Sequence, residues 1–138
     1  MKLPLTILYA DDDPDDIAIF NEVLRDIDQQ IKCISVSNGQ EALTILTDSV
    51  QLPDIIFLDI NMPQMSGKDC LTKIRSNNRL ARIPVIMYST AASDEEIAKC
   101  YKLGATDYLV KASNFSKLRE DFLSIFENLS SNKVYKLE

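Results

Sequence analysis

The sequence predicts an α/β domain, a doubly wound five-stranded parallel sheet with five helices, and three observations carry that expectation. Five short apolar runs alternate with stretches of helical periodicity, the order that builds βα units with right-handed crossovers. One run, Ile55-Ile56-Phe57-Leu58, is apolar at every position, as a strand covered on both faces must be. Turn and cap residues such as Asp13-Pro14, Ser37-Asn38-Gly39 and Ser66-Gly67 separate the runs.

In order, residues 6–10 form the first strand, broken by Asp11-Asp12-Asp13-Pro14-Asp15-Asp16. Pro14 suits the first position of a helix, and Asp15 and Asp16 favour its positive end. Ile17, Phe20, Leu24 and Ile27 then recur at helical spacing. Residues 31–36 alternate weakly as a second strand, and Ala42, Leu43 and Leu46 mark the second helix. The third strand covers residues 55–58. Ser66-Gly67-Lys68-Asp69 has the form of a capping box opening a helix through Leu71 and Ile74.

Residues 84–88 form the fourth strand, and Ser93-Asp94-Glu95-Glu96 opens a helix through Ile97, Cys100 and Tyr101 with a second such box. Gly104 stands where a glycine just past a helix end belongs, and residues 108–110 form the fifth strand. The last helix starts near Ser113 and carries a stripe of Phe115, Leu118, Phe122, Phe126 and Leu129. Residues 1–129 are read as one domain and 130–138 as a polar C-terminal tail that frays. There is no internal repeat, linker or low-complexity segment.

Composition narrows the function. The 138 residues suit one domain with a real core, and 46% are apolar. A net charge of −6 argues against a nucleic-acid partner, whose phosphates attract Lys and Arg. Met1-Lys2-Leu3-Pro4 begins no signal-peptide pattern and no apolar run reaches bilayer length, so no membrane association is expected. Cys33, Cys70 and Cys100 are odd in number and widely spaced, which fits a reduced, cytoplasmic protein. The chain contains no His, which removes Ser-His-Asp and Cys-His catalysis and most zinc chemistry.

What remains is chemistry at the strand ends. In an open parallel sheet, function collects beyond the carboxyl ends of the strands. The first strand is followed by Asp11 and Asp12, the third by Asp59, the fourth by Ser89 and Thr90, and the fifth by Lys111. Taken singly, each has an ordinary role as turn, cap or surface residue. Taken together, they bring carboxylates, a hydroxyl and an ammonium to one edge. Converging carboxylates raise one another's pKa unless a cation intervenes, and Mg²⁺ suits one or two carboxylates, a carbonyl and waters. Asp11, Asp12, Asp59 and the backbone carbonyl of Asn61 are the expected ligands. Asp59 is then placed to attack a phosphoryl group, with Lys111 and Ser89 answering charge on the transferring oxygens.

These motifs carry a resemblance. Asp11-Asp12, Leu58-Asp59-Ile60-Asn61-Met62-Pro63, Ser89-Thr90 and the run from Gly104 to Lys111 resemble the response-regulator receiver family, of which CheY is the stand-alone type. The resemblance spans roughly residues 4–129. It implies a flavodoxin-like (CheY-like) sheet with strand order 2-1-3-4-5. It also implies phosphotransfer to Asp59 from a sensor histidine kinase or phosphotransfer protein, with Tyr108 as a switch aromatic beside Ser89. A downstream protein target follows, with homodimerisation open, and the only chemistry implied is self-phosphotransfer and slow autodephosphorylation rather than turnover. The Asn78-Arg79-Leu80-Ala81-Arg82 segment is similar to single-domain regulators that accompany phytochrome-type kinases.

Two positions depart from the family pattern. Ala112 follows Lys111 where Pro is usual and its peptide bond commonly cis; a cis bond before a non-proline costs about 2.5–4 kcal/mol, which leaves the aim of Lys111 open. Thr90 stands where Ala is usual and could narrow access to Asp59. Three rival patterns fit the residues less well. Asp11, Asp13, Asp15 and Glu22 mimic a calcium loop, but Asp16 replaces its turn glycine. A flavin-phosphate cradle would not carry three Asp residues. A Mg²⁺-dependent Asp-nucleophile phosphatase of the haloacid dehalogenase type needs an acid/base Asp two residues past the nucleophile, where this chain has Asn61.

Overall fold

The computed structural model describes residues 5–90, 93–112 and 114–131. Its elements alternate without exception: β1 (Thr6–Ala10), α1 (Pro14–Ile27), β2 (Lys32–Val36), α2 (Gly39–Asp48), β3 (Ile55–Leu58), α3 (Gly67–Arg75), β4 (Val85–Ser89), α4 (Asp94–Lys102), β5 (Asp107–Val110) and α5 (Phe115–Ser131). The five strands are parallel in the order β2-β1-β3-β4-β5. Strand boundaries move by one residue from the sequence reading: β2 begins at Lys32, Ser89 is inside β4, and Asp107 opens β5.

Period-two alternation divides the strands between two cores. Ile7, Tyr9, Ile55, Phe57, Ile86 and Tyr88 face α1 and α5. Leu8, Ala10, Ile56, Leu58, Val85 and Met87 face α2, α3 and α4. β1, β3 and β4 therefore read as continuous apolar runs, because both of their faces are covered. The first core is aromatic: Phe20 stacks on Tyr9 at 3.8 Å and meets Phe57 and Phe122 edge-on at 5.0 and 4.8 Å.

The helix ends follow local chemistry. Asp13 caps α1 by accepting from the Asp15 and Asp16 amides, with Pro14 in the first turn. Asn38 caps α2 through the Glu41 amide, while the Glu41 carboxylate accepts from the Ser37 N–H at 2.8 Å, a reciprocal cap that the sequence reading missed. Ser66 and Ser93 accept from the Asp69 and Glu96 amides at 3.1 and 3.2 Å. Only the first half of the expected box at Ser93 is observed, because the Glu96 carboxylate pairs instead with Lys68 at 2.8 Å.

Gly104, at φ 109, ends α4 in a Schellman motif: its N–H donates to Tyr101 O, and that of Ala105 donates to Cys100 O. The fifth helix is capped by Asn114, which accepts from the Lys117 N–H at 2.8 Å. Ser113, expected near its start, lies outside the described residues. α5 continues through Ser131, past residue 130 where the tail was expected to begin; residues 1–4 and 132–138 lie outside the described residues. Among the described residues, no helix is long and apolar enough to cross a membrane.

Candidate functional site

Strand register assembles the site. Ala10 pairs with Leu58, so Asp11 and Asp59 leave β1 and β3 at the same level, and the Asp59 N–H donates to Ala10 O at 2.9 Å. The chain order reverses between these two strands, since β2 lies on one side of β1 and β3 on the other. That switch point opens a crevice at the carboxyl edge. On the far side Ser89 pairs with Val110, and the Lys111 N–H extends the ladder to Ser89 O at 2.8 Å.

Asp11, Asp59 and Ser89 are the buried polar residues among those described, at 0%, 6% and 1% exposure. All three sit at this edge. Buried polar groups are costly unless paired, so their concentration at one place makes this edge the candidate functional site. Asp12 is exposed. Its carboxylate, with those of Asp11 and Asp59, brings three oxygens within 4.8 Å of one another. Hard oxygen donors so placed fit a divalent cation. Asn61 lies exposed two residues past Asp59, in a cleft it shares with Ile60, Ser66, Lys68, Ser93 and Glu96.

The charges are unevenly balanced. Burial, then repulsion from Asp11, push the Asp59 carboxyl up to about 6, against the opposing pull of Lys111. Burial alone would lower the Lys111 ammonium, but the hydrogen bonds to Asp11 and Asp16 outweigh it and hold the group above its ordinary value. The Lys111 Nζ lies 2.8 Å from Asp11 Oδ2, 2.7 Å from Asp16 Oδ2 and 3.7 Å from Asp59 Oδ2. With Ala112 after it, Lys111 is aimed into the acidic edge, closer to Asp11 and Asp16 than to Asp59. Ala112 itself packs, partly buried, against the α1–α5 core.

Ser89 and Tyr108 are already in contact, because the Ser89 side chain hydrogen-bonds the Tyr108 phenol and offsets part of the upward shift that burial imposes on it. Thr90 is exposed at the rim.

Four contributors escaped the sequence reading. Tyr9 donates its phenolic hydrogen to Asp11 Oδ2 from inside the aromatic core. The face of Tyr88 lies 5.4 Å from the Lys111 Nζ, within cation–π range. Asp16, at a helix start where its charge alone is expected to matter, accepts from the Lys111 ammonium at 2.7 Å. Gly67 packs so closely on the Asp59 loop that an added Cβ would lie 2.1 Å from the Asp59 carbonyl oxygen. The alternation of β1 could have flagged Tyr9 as an inward phenol needing an acceptor; nothing in the sequence shows Asp16 reaching a residue 95 positions away.

The family model for the response regulator receiver domain matches residues 7–122. The chain belongs to that family. The receiver is 33% identical over 130 residues to a protein of Vibrio cholerae named a probable cyclic di-GMP phosphodiesterase, covering 94% of this chain but only 28% of that one. It is 29% identical over 120 residues to response regulator Rcp1 of Synechocystis, covering 83% of this chain and 82% of the relative. Among solved structures, the phosphorylated cyanobacterial phytochrome response regulator RcpA superposes with a TM-score of 0.83 at 31% identity, covering 92% of this chain and 95% of the other. The Mn²⁺-bound form of Rcp1 superposes with a TM-score of 0.78 at 26% identity, covering 98% and 97%. The protein is a response regulator receiver of the two-component type, homologous to phytochrome response regulators. Nothing supports the phosphatase reading.

Proposed function

We propose that this receiver accepts one phosphoryl group on Asp59 from a sensor histidine kinase or phosphotransfer protein. The observation that carries this is the buried Asp59 at the switch point, level with Asp11 and 3.7 Å from the Lys111 ammonium. A carboxyl group titrating near 6 is about ten-to-one ionised at pH 7, so Asp59 is available as a nucleophile even without help. Asp11, Asp12, Asp59 and the Asn61 carbonyl would hold Mg²⁺, which when bound would supply charge neutralisation at the transferring oxygens. Lys111 and Ser89 contribute the remaining donors, and Thr90 at the rim limits access. The receiver domain takes in α5 to its end at Ser131.

The added charge of roughly −1.5 to −2 is read through Ser89 and Tyr108. Inverting a 1:99 equilibrium takes about 5.5 kcal/mol, whereas one charge-assisted hydrogen bond supplies about 1.5–3 kcal/mol. Ser89 alone is thus too weak, and Lys111 and the metal share the load. The output is recognition by a downstream protein in the cytoplasm. The chain's own chemistry stops at self-phosphotransfer and slow autodephosphorylation. Its likeness to phytochrome response regulators favours a phytochrome-type kinase as the donor.

Incubation with a small-molecule phosphodonor and Mg²⁺ should add one phosphoryl group to the wild-type chain and none to Asp59→Asn. Undiminished labelling of that variant would end the proposal.

A further inference from the structure

The Lys111 ammonium sits in a built cage. Its side chain is only 9% exposed, and it contacts Asp11 Oδ2 at 2.8 Å and Asp16 Oδ2 at 2.7 Å beneath the face of Tyr88. Tyr9 donates to the same Asp11 oxygen and fixes that carboxylate from below. Asp59, at 3.7 Å, lies beyond hydrogen-bond distance. The ammonium thus rests toward the α1 side of the crevice, within ion-pair range of Asp59 but not hydrogen-bonded to the carboxylate it must serve if Asp59 is phosphorylated. A desolvated ammonium holds to its partners, since leaving one unpaired is costly.

We infer that Asp16 is a positioning residue that holds Lys111 back from Asp59 and so opposes formation of the phosphorylated state. This inference rests on the reading of Asp59 as the phosphoryl acceptor. A cation held at Asp11 would compete for that carboxylate, whereas Asp16, outside the acidic cluster, would keep its contact with the ammonium. To reach a phosphoryl oxygen on Asp59, Lys111 must loosen its contact with Asp16. Asp16 is placed for this because it lies in the first turn of α1, capped by Asp13, where its half-buried carboxylate reaches Lys111 at 2.7 Å. Its side chain keeps 30% exposure, so the pair can separate without burying a bare carboxylate. No covalent step is involved; the effect is a bias on where one ammonium resides.

The test measures affinity for beryllofluoride, a phosphoryl analogue, in the presence of Mg²⁺. Asp16→Asn should bind it about five-fold tighter than wild type, the scale of one partly exposed ion pair. Asp16→Glu, which keeps the charge, should stay within about two-fold of wild type on the same scale. In a Lys111→Met background the gain from Asp16→Asn should vanish, because the effect runs through the ammonium. An equal gain in both backgrounds would mean that Asp16 acts merely as one more negative charge, and would overturn the inference. So would unchanged or weaker binding by Asp16→Asn, or a full gain by Asp16→Glu. Asp16→Ser removes the same charge and repeats the test if Asp16→Asn does not fold. Asp59→Asn separates the two readings. Analogue binding that ignores Asp59 ends the acceptor reading, whereas Asp59-dependent binding unaffected by Asp16 ends only this inference.

Discussion

Replacing Gly67 with Ala places a methyl group against the backbone that carries the acceptor. Gly67 is the first residue of α3, and its N–H donates to Ile60 O at 2.8 Å. A Cβ there would stand 2.1 Å from the Asp59 carbonyl oxygen, 2.9 Å from its carbonyl carbon and 2.9 Å from Ile60 Cα. Ordinary contact begins at 3.4 Å, so the loop must retreat by more than 1 Å. Backbone rather than a flexible side chain has to move. Overpacking of this kind costs about 1–3 kcal/mol, and weakening the Gly67–Ile60 hydrogen bond adds about 0.5–1.5 kcal/mol. The better helix propensity of Ala returns about 0.5–1 kcal/mol.

The net loss is about 1–3 kcal/mol, and at roughly 3–5 °C per kcal/mol the melting temperature should fall by about 3–15 °C. Displacement of Asp59 should also slow labelling by a small phosphodonor at temperatures where the variant remains folded. Gly39→Ala is the comparison: its Cβ would meet the flexible Met65 side chain and the Met65 carbonyl oxygen at 3.2 Å. That contact is tight but yielding, and the variant should stay within about 1 kcal/mol of wild type. Thermal unfolding and labelling rates decide. If Gly67→Ala melts and labels like the wild type while Gly39→Ala does not, the packing argument is wrong.

Two more outcomes are expected. The Arg75 guanidinium donates to the Gly104, Ala81 and Ile83 carbonyls at 2.8, 3.1 and 2.8 Å, and to the Thr106 hydroxyl at 3.3 Å. Lys cannot reproduce that planar fork, so Arg75→Lys should lose about 2–3 kcal/mol in chemical denaturation, while labelling of the folded variant stays within two-fold (a factor worth about 0.4 kcal/mol). The third outcome concerns pH. Because folding raises the Asp59 carboxyl from 3.8 to about 6, the protonated form is favoured in the fold, and the metal-free protein loses that contribution as pH rises through about 6. Asp59→Asn removes the titration, so the stability gap between variant and wild type should grow by up to about 3 kcal/mol from pH 3 to pH 7, of which about 1.3 kcal/mol falls between pH 5 and pH 7. A gap independent of pH would refute the raised value.

The doubly wound architecture was legible because its causes are local. Fully apolar Ile55 to Leu58 can satisfy both faces only inside a covered sheet, and Pro14, Ser66, Ser93 and Gly104 act within a turn of themselves. Asp59, Asp11, Asp12, Ser89 and Lys111 were legible as a group because parallel strands place their carboxyl ends on one edge. Their partnering was not. Lys111 hydrogen-bonds Asp11 and Asp16 rather than Asp59 because the packed position of the first turn of α1 puts Asp16 at 2.7 Å, a matter of tertiary packing. Tyr9 reaches Asp11 because strand alternation and the stack with Phe20 leave its hydroxyl one acceptor. Glu96 abandons its cap for Lys68 because α3 and α4 start side by side. Sequence fixes which groups leave each strand, since that depends on residue order and pleat; only the packed helices decide which of them touch, since that depends on distances between residues far apart in the chain.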